Sequence, residues 1–194
     1  MQKHLSILLL FCLISVGSFC QTLKYTIKLK DEVVGTMTAK KTVGAKSHFL
    51  IESSISVEKI IKIDLFYKIE SFFEKNILLI STAIQNANGK EYTNTTTEKK
   101  ATGYTVTTTK ENKNLTVKAI SYNLCKLYFE EPVGVTAVWS DSFGEMLSIK
   151  PAGSHRYELV LADGKSNFYT YYKGICILVE TEIPFGKITF RLTK

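Results

Sequence analysis

Glu130 and Glu131 stand side by side in the stretch from Leu124 to Gly144, LCKLYFEEPVGVTAVWSDSFG, with Asp141 further along and the only tryptophan, Trp139, between. Paired carboxylates beside an aromatic residue could equip a glycosidase, one acid protonating the leaving group while the other attacks or activates water. That chemistry needs carboxyls facing one another about 5 to 9 Å apart, whereas neighbours on a helix diverge by about 100°. Glu131 therefore reads as an acid that bonds backbone beside Pro132, unless the fold recruits a distant partner such as Asp141. Ser154 precedes His155, but no G-x-S-x-G elbow frames a serine, and Gly153-Ser154-His155 reads better as a turn. His48 and His155 form no i, i+4 pair, and no C-x-x-C, H-x-H or H-E-x-x-H occurs, so neither a metal nor a cofactor is expected. The glycines, Gly134 and Gly144 among them, turn the chain and match no phosphate-binding spacing. No catalytic residue is assigned. An enzyme survives only if one cleft gathers Glu131, Asp141 and His155.

The N-terminus changes the composition that matters. Lys3 and His4 precede an apolar run from Leu5 to Val16, followed by Gly17 and Ser18, the pattern of a secretory signal peptide. Cleavage between Cys20 and Gln21 is expected, with cleavage after Ser18 its close competitor. Acylation of Cys20 is disfavoured, because Phe19 precedes it and Gly17 stands where a lipobox has an aliphatic residue. Residues 1–20 are thus read as signal and 21–194 as a single β-rich domain, placed in the periplasm or cell envelope without a further membrane span. Removing the signal lowers the net charge from +7 to +6, with 24 basic and 18 acidic residues left. No run of five lysines or arginines occurs, so a nucleic-acid partner is not expected. Of four cysteines, Cys125 and Cys176 remain. Export permits a bridge between them, and their apolar neighbours suit buried free thiols equally well.

Such residues need elements to position them, and the chain supplies strands. In LKYTIKL, Leu23, Tyr25, Ile27 and Leu29 alternate with polar residues, the mark of a half-buried strand. FLIESSISV and IIKIDLFYKIESFF repeat the device, the second long enough to expect a bend near Phe66. Asn88-Gly89, Asp163-Gly164, Lys173-Gly174 and Pro184-Phe185-Gly186 mark hairpins. The Thr-rich EYTNTTTEKK is expected near an edge or along a polar surface. The period changes only in ISYNLCKLYFE, where Ile120, Leu124, Leu127 and Tyr128 recur at three and four. A short helix near residues 120–130 is therefore expected, capped by Ser121 and stopped by Pro132. About a dozen antiparallel strands cannot stay flat, so the fold class is all-β, a meander curled into a barrel or half-barrel with the helix covering an open edge.

Three stretches carry a resemblance: Y-x-I-x-L-x-D-E-V-V-G-T-M-T from Tyr25, LYFEEPVG-x5-SDSFG from Leu127 to Gly144, and ADGKSNFYTYYKGIC from Ala162 to Cys176. Together they resemble an uncharacterised family of exported bacterial proteins, a domain of unknown function, over about residues 23–192. In overall plan the chain is also similar to envelope carriers of lipoproteins, half-barrels that hold a lipid-sized cavity. The resemblance implies no catalytic residues. Read with the chain on either side, the stretch makes Leu127, Tyr128, Glu131, Pro132, Gly134, Trp139, Asp141 and Gly144 a fold-organising motif. The leading expectation is non-enzymatic binding of a lipid or other amphipathic ligand, with Trp139, Tyr169 and Tyr171 as candidate lining residues. The alternative is an envelope structural or interaction module without a cavity.

Overall fold

The computed structural model describes residues 19–58, 62–183 and 186–193. The expected signal segment lies outside them up to residue 18, as does the Pro184-Phe185 turn. Fourteen strands follow in chain order: β1 Phe19–Leu29, β2 Glu32–Val43, β3 Ser47–Glu58, β4 Lys62–Glu74, β5 Ile77–Ala87, β6 Lys90–Lys100 and β7 Gly103–Thr107. Then come β8 Asn112–Leu115, β9 Ala137–Ser140, β10 Glu145–Gly153, β11 Arg156–Val160, β12 Ser166–Tyr172, β13 Ile175–Ile183 and β14 Gly186–Leu192. Cys20 and Gln21 both lie in β1.

All fourteen belong to one antiparallel sheet, in the order β8 through β1, then β14 back through β9. The first and last strands therefore pair at its centre, with Tyr25 opposite Leu192 and Leu29 opposite Ile188. The outermost strands, β8 and β9, do not pair with one another. The sheet is a strongly curved half-barrel.

Inward faces follow the alternation in the sequence. Leu23, Tyr25, Ile27 and Leu29 of β1 are buried, as are Phe49 and Ile51 of β3 and Ile69 and Phe73 of β4. The bend in β4 falls at Phe72 and Phe73, where the register against β5 shifts, and not near Phe66. The Thr-rich β6 lies third from the edge, and its Thr95 and Thr97 are buried on the inner face. Asn88 and Gly89 both take positive φ, 49° and 76°, as a tight two-residue hairpin demands.

Because every connection within the meander is a hairpin, turns alternate between two ends. The turns after β1, β3, β5, β7, β9, β11 and β13 share one end. Those after β2, β4, β6, β10 and β12 share the other, with the start of β1 and the long segment 116–136 between β8 and β9. In place of the expected helix, that segment holds one 3-10 turn, Lys126–Tyr128, preceded by Cys125 without a side-chain cap. The reason is backbone competition. Ile120, Tyr122 and Leu124 already spend their peptide groups on neighbouring strands: Leu78 N donates to Ile120 O (2.8 Å), Trp139 N to Tyr122 O (2.9 Å) and Leu124 N to Trp139 O (3.1 Å). Only the residues between Leu124 and Pro132 remain free to coil.

One position tests the tightness of the curl. A Cβ on Gly35 of β2 would sit 2.1 Å from Ser54 O on β3, backbone against backbone. Gly35→Ala is expected to cost about 1–3 kcal/mol by overpacking. A urea midpoint equal to wild type would show that β2 and β3 do not approach so closely.

Candidate functional site

The segment 116–136 plugs one end of the half-barrel, and polar contacts fix it there. The Tyr104 hydroxyl accepts from Ile120 N and donates to Leu78 O, both at 3.0 Å. Tyr171 donates to Leu127 O at 2.7 Å. Lys126 is only 3% exposed, with its ammonium donating to Asn76 Oδ1 and to Ser121 O and lying 4.1 Å over the Phe73 ring. Burial lowers its pKa. Glu130 takes Lys41 Nζ at 2.7 Å, and Glu131 takes the His155 ring and the Tyr157 hydroxyl, each at 3.0 Å. The acids thus fix a corner, with Pro132 buried beside them. Gly134 sits just beyond at φ +73°.

A second polar cluster lies between the plug and the open end. Asn123 Nδ2 donates to both Asp141 oxygens, at 3.0 and 3.2 Å, and to Ser71 Oγ at 3.1 Å. Asp141 is buried, and desolvation pushes its pKa up to about 6 despite the Asn123 hydrogen bonds. The turn that follows reaches across to the opposite wall. Thr95 Oγ1 donates to Ser142 O at 2.8 Å, the Tyr67 and Ser142 hydroxyls meet at 2.9 Å, and a Cβ on Gly144 would lie 2.5 Å from Val106 Cγ1. Gly144 is therefore required both by its φ of +63° and by this contact. Glu131 and His155 meet, whereas Asp141 belongs to a different cluster beyond β9. Glu131, Asp141 and His155 therefore do not share one cleft.

Between these walls lies a cleft of about 300 Å³. Leu124 and Tyr128 of the plug bound it below. Met37, Ile51, Ile69, Leu147, Leu159 and Val179 form its sides, and Leu65, Phe66, Phe143 and Leu161 stand toward the open end. Its polar lining is uncharged: Ser53, Tyr67, Gln85, Ser140, Ser142, Asn167, Tyr169 and Thr181. Burial drives the Tyr67, Tyr128 and Tyr169 hydroxyls far above the usual tyrosine range, so all three stay neutral donors. Asn167 is near enough to Tyr169 to ease that shift, yet its Oδ1 is buried without a hydrogen-bond partner among the described residues.

Of the three expected lining residues, the cleft takes Tyr169. Trp139 is 1% exposed in the core and Tyr171 is tied to Leu127 O and packed edge-on to Tyr157, so neither borders it. Cys125 and Cys176 are buried free thiols, Cys176 being pushed up to about 12 by burial. Tyr67, Ser142, Leu159 and Asn167 were not singled out in advance. Alternation placed Tyr67 inward, but no local signal separates an inward residue that packs from one that borders space. A broader depression of about 550 Å³ on the outer face of β11–β14 holds Arg156 at 2.9 Å from Glu180 and 4.5 Å over Phe168, with Lys187 also on Glu180. No group of three His, Cys, Asp or Glu among the described residues could hold a metal ion.

A family model described as a domain of unknown function, DUF6134, matches residues 25–193. The fold is also similar to the crystal structure of a β-barrel-like protein of domain of unknown function DUF1849 from Brucella abortus. The TM-score is 0.58 at 9% sequence identity, covering 89% of this chain and 95% of that one. At that identity the likeness is one of fold. No curated protein matches the chain.

The buried acid has a measurable consequence. Asp141 keeps its proton to about pH 6 when folded but only to its ordinary 3.8 when unfolded. The folded state binds more protons across that window, so its stabilisation is complete below 3.8 and lost as pH rises through about 6, up to about 3 kcal/mol. Urea denaturation across this range should show that loss in wild type and a flatter profile in Asp141→Asn. Identical pH profiles would remove Asp141 as the cause.

Proposed function

The match over residues 25–193 makes the chain a member of the DUF6134 family, and from the geometry of its cleft we propose that it binds a hydrophobic or amphipathic ligand without catalysing a reaction. The observation that carries this reading is a cleft of about 300 Å³ with apolar walls and no charged side chain in its lining. That volume lies at the small end of the range for small-molecule sites, about 300 to 1,000 Å³. Neutral hydroxyl and amide groups on Tyr67, Ser142, Gln85 and Asn167 suit a ligand with a few polar atoms. A charged head group would be left outside, since burying an unpaired ion in such a lining is costly.

The acids support the non-catalytic part. Glu130 and Glu131 are engaged by Lys41, His155 and Tyr157, and Asp141 by Asn123. His48 is held by Glu70 at 2.9 Å and stacked on Phe72. No pair is left facing a common space. The reading takes the chain as exported, with residues 1–20 removed, and working in the periplasm or cell envelope. The rival interaction module draws less support, because the terminal strand β8 has only four residues and a very short edge strand is a poor template for pairing.

The test is extraction of the natively purified protein with organic solvent, followed by mass spectrometry. A stoichiometric apolar or amphipathic species is expected in wild type. Asn167→Phe, which fills the cleft and removes an unsatisfied oxygen, should fold normally and carry roughly tenfold less. Equal amounts in both would place any bound species elsewhere, and none in either would remove the reading.

A further inference from the structure

The two ends of the half-barrel differ in a way that the cleft does not explain. At the open end, turns couple opposite charges. Lys30 adjoins Asp31 and Glu32, Lys90 adjoins Glu91, Lys62 pairs with Asp64 at 3.4 Å, and Lys165 with Asp163 at 3.0 Å. At the plugged end, three short stretches carry a lysine with no acid among them: VGAKS from Val43, TVKA from Thr116 and YKG from Tyr172. Their Lys46, Lys118 and Lys173 are exposed, and none forms an ion pair among the described residues. The acids at this end are offset. Glu130 and Glu131 are held as described, and Glu74 has Lys75 beside it.

The plugged end also presents large apolar side chains to solvent. Val133 is 75% exposed and Tyr172 62%. At the open end, exposed Val33 and Tyr92 instead adjoin Glu32 and Glu91, and exposed Phe143 borders the cleft two residues before Glu145. Lysines interspersed with aromatic and aliphatic side chains are the composition that binds a lipid interface. The cations are drawn to anionic head groups, and the apolar groups enter the head-group boundary.

We propose that the plugged end, through Lys46, Lys118, Lys173, Val133 and Tyr172, is a docking face for an anionic lipid membrane surface. Docking there leaves the cleft opening away from the bilayer. This face is independent of what the cleft holds, so the two readings fail separately.

Flotation of the purified protein with vesicles at low salt tests the proposal, every variant carrying the same N-terminus. Wild type should float with vesicles rich in phosphatidylglycerol and remain behind with pure phosphatidylcholine, and added salt should release it. Lys46→Glu, Lys118→Glu and Lys173→Glu combined should weaken flotation by roughly tenfold or more. Val133→Asn should weaken it with the lysines and the net charge intact, confirming apolar insertion. A control at the open end, Lys30→Glu with Lys90→Glu and Lys165→Glu, and the cleft-filling Asn167→Phe should both float as wild type. Circular dichroism confirms that each variant is folded. Equal flotation with neutral vesicles, undiminished flotation of the plugged-end variant, or loss caused by the open-end control would each overturn the assignment.

Discussion

A sheet whose two outermost strands never meet must be closed by something that is not a strand. β8 and β9 end the fourteen-stranded order without pairing, and the apolar inner face of such an open sheet needs cover from another part of the chain. The segment 116–136 answers that constraint. Its backbone bonds to Leu78 at the start of β5 and to Trp139 of β9, so one extended run links the two walls of the half-barrel at this end. Everything distinctive about the molecule follows from this closure. The plug fills one end, the Asp141–Gly144 turn bridges toward the other, and the space left between them is the cleft.

The closure explains why polar groups are buried in an otherwise apolar interior. Tyr104, Asn123, Lys126 and Asp141 each join the plug to a wall, and most are satisfied by partners on separate elements. A buried polar group with its partner present costs little, and without that partner it costs much, so these pairs specify where the segment sits. Asp141 is the exposed nerve of the arrangement, since its charge is held by an amide and hydroxyl environment and not by a cation. Some buried atoms have no hydrogen-bond partner among the described residues, among them Thr97 Oγ1 and Trp139 Nε1. The interior is therefore less completely matched than a filled core.

Much of the fold could be read from the chain, because strand alternation and turn chemistry are local. Tyr25 and Ile27 face inward as their period demands, and Asn88-Gly89 turns where both residues tolerate positive φ. The stretch around Glu131 misled in one respect. Ile120, Leu124, Leu127 and Tyr128 recur at helical spacing, yet they are enclosed because the segment is surrounded by sheet, not because it is a helix. A period reports burial and cannot say which backbone shape produces it. The cleft was legible only as an expectation of curvature. Trp139 proved to be core and Asn167 to border space, a distinction set by the distance between walls that no single strand encodes.

Amide hydrogen exchange tests the closure most directly. The amides of Leu78, Leu124 and Trp139 have partners only if residues 120–124 lie between β5 and β9. They should exchange as slowly as the central amides of β3 and β4, because their opening requires loss of the sheet itself. Exchange as fast as the exposed turn at Asn88 and Gly89 would contradict the account, leaving the half-barrel open along its seam and the cleft without a floor.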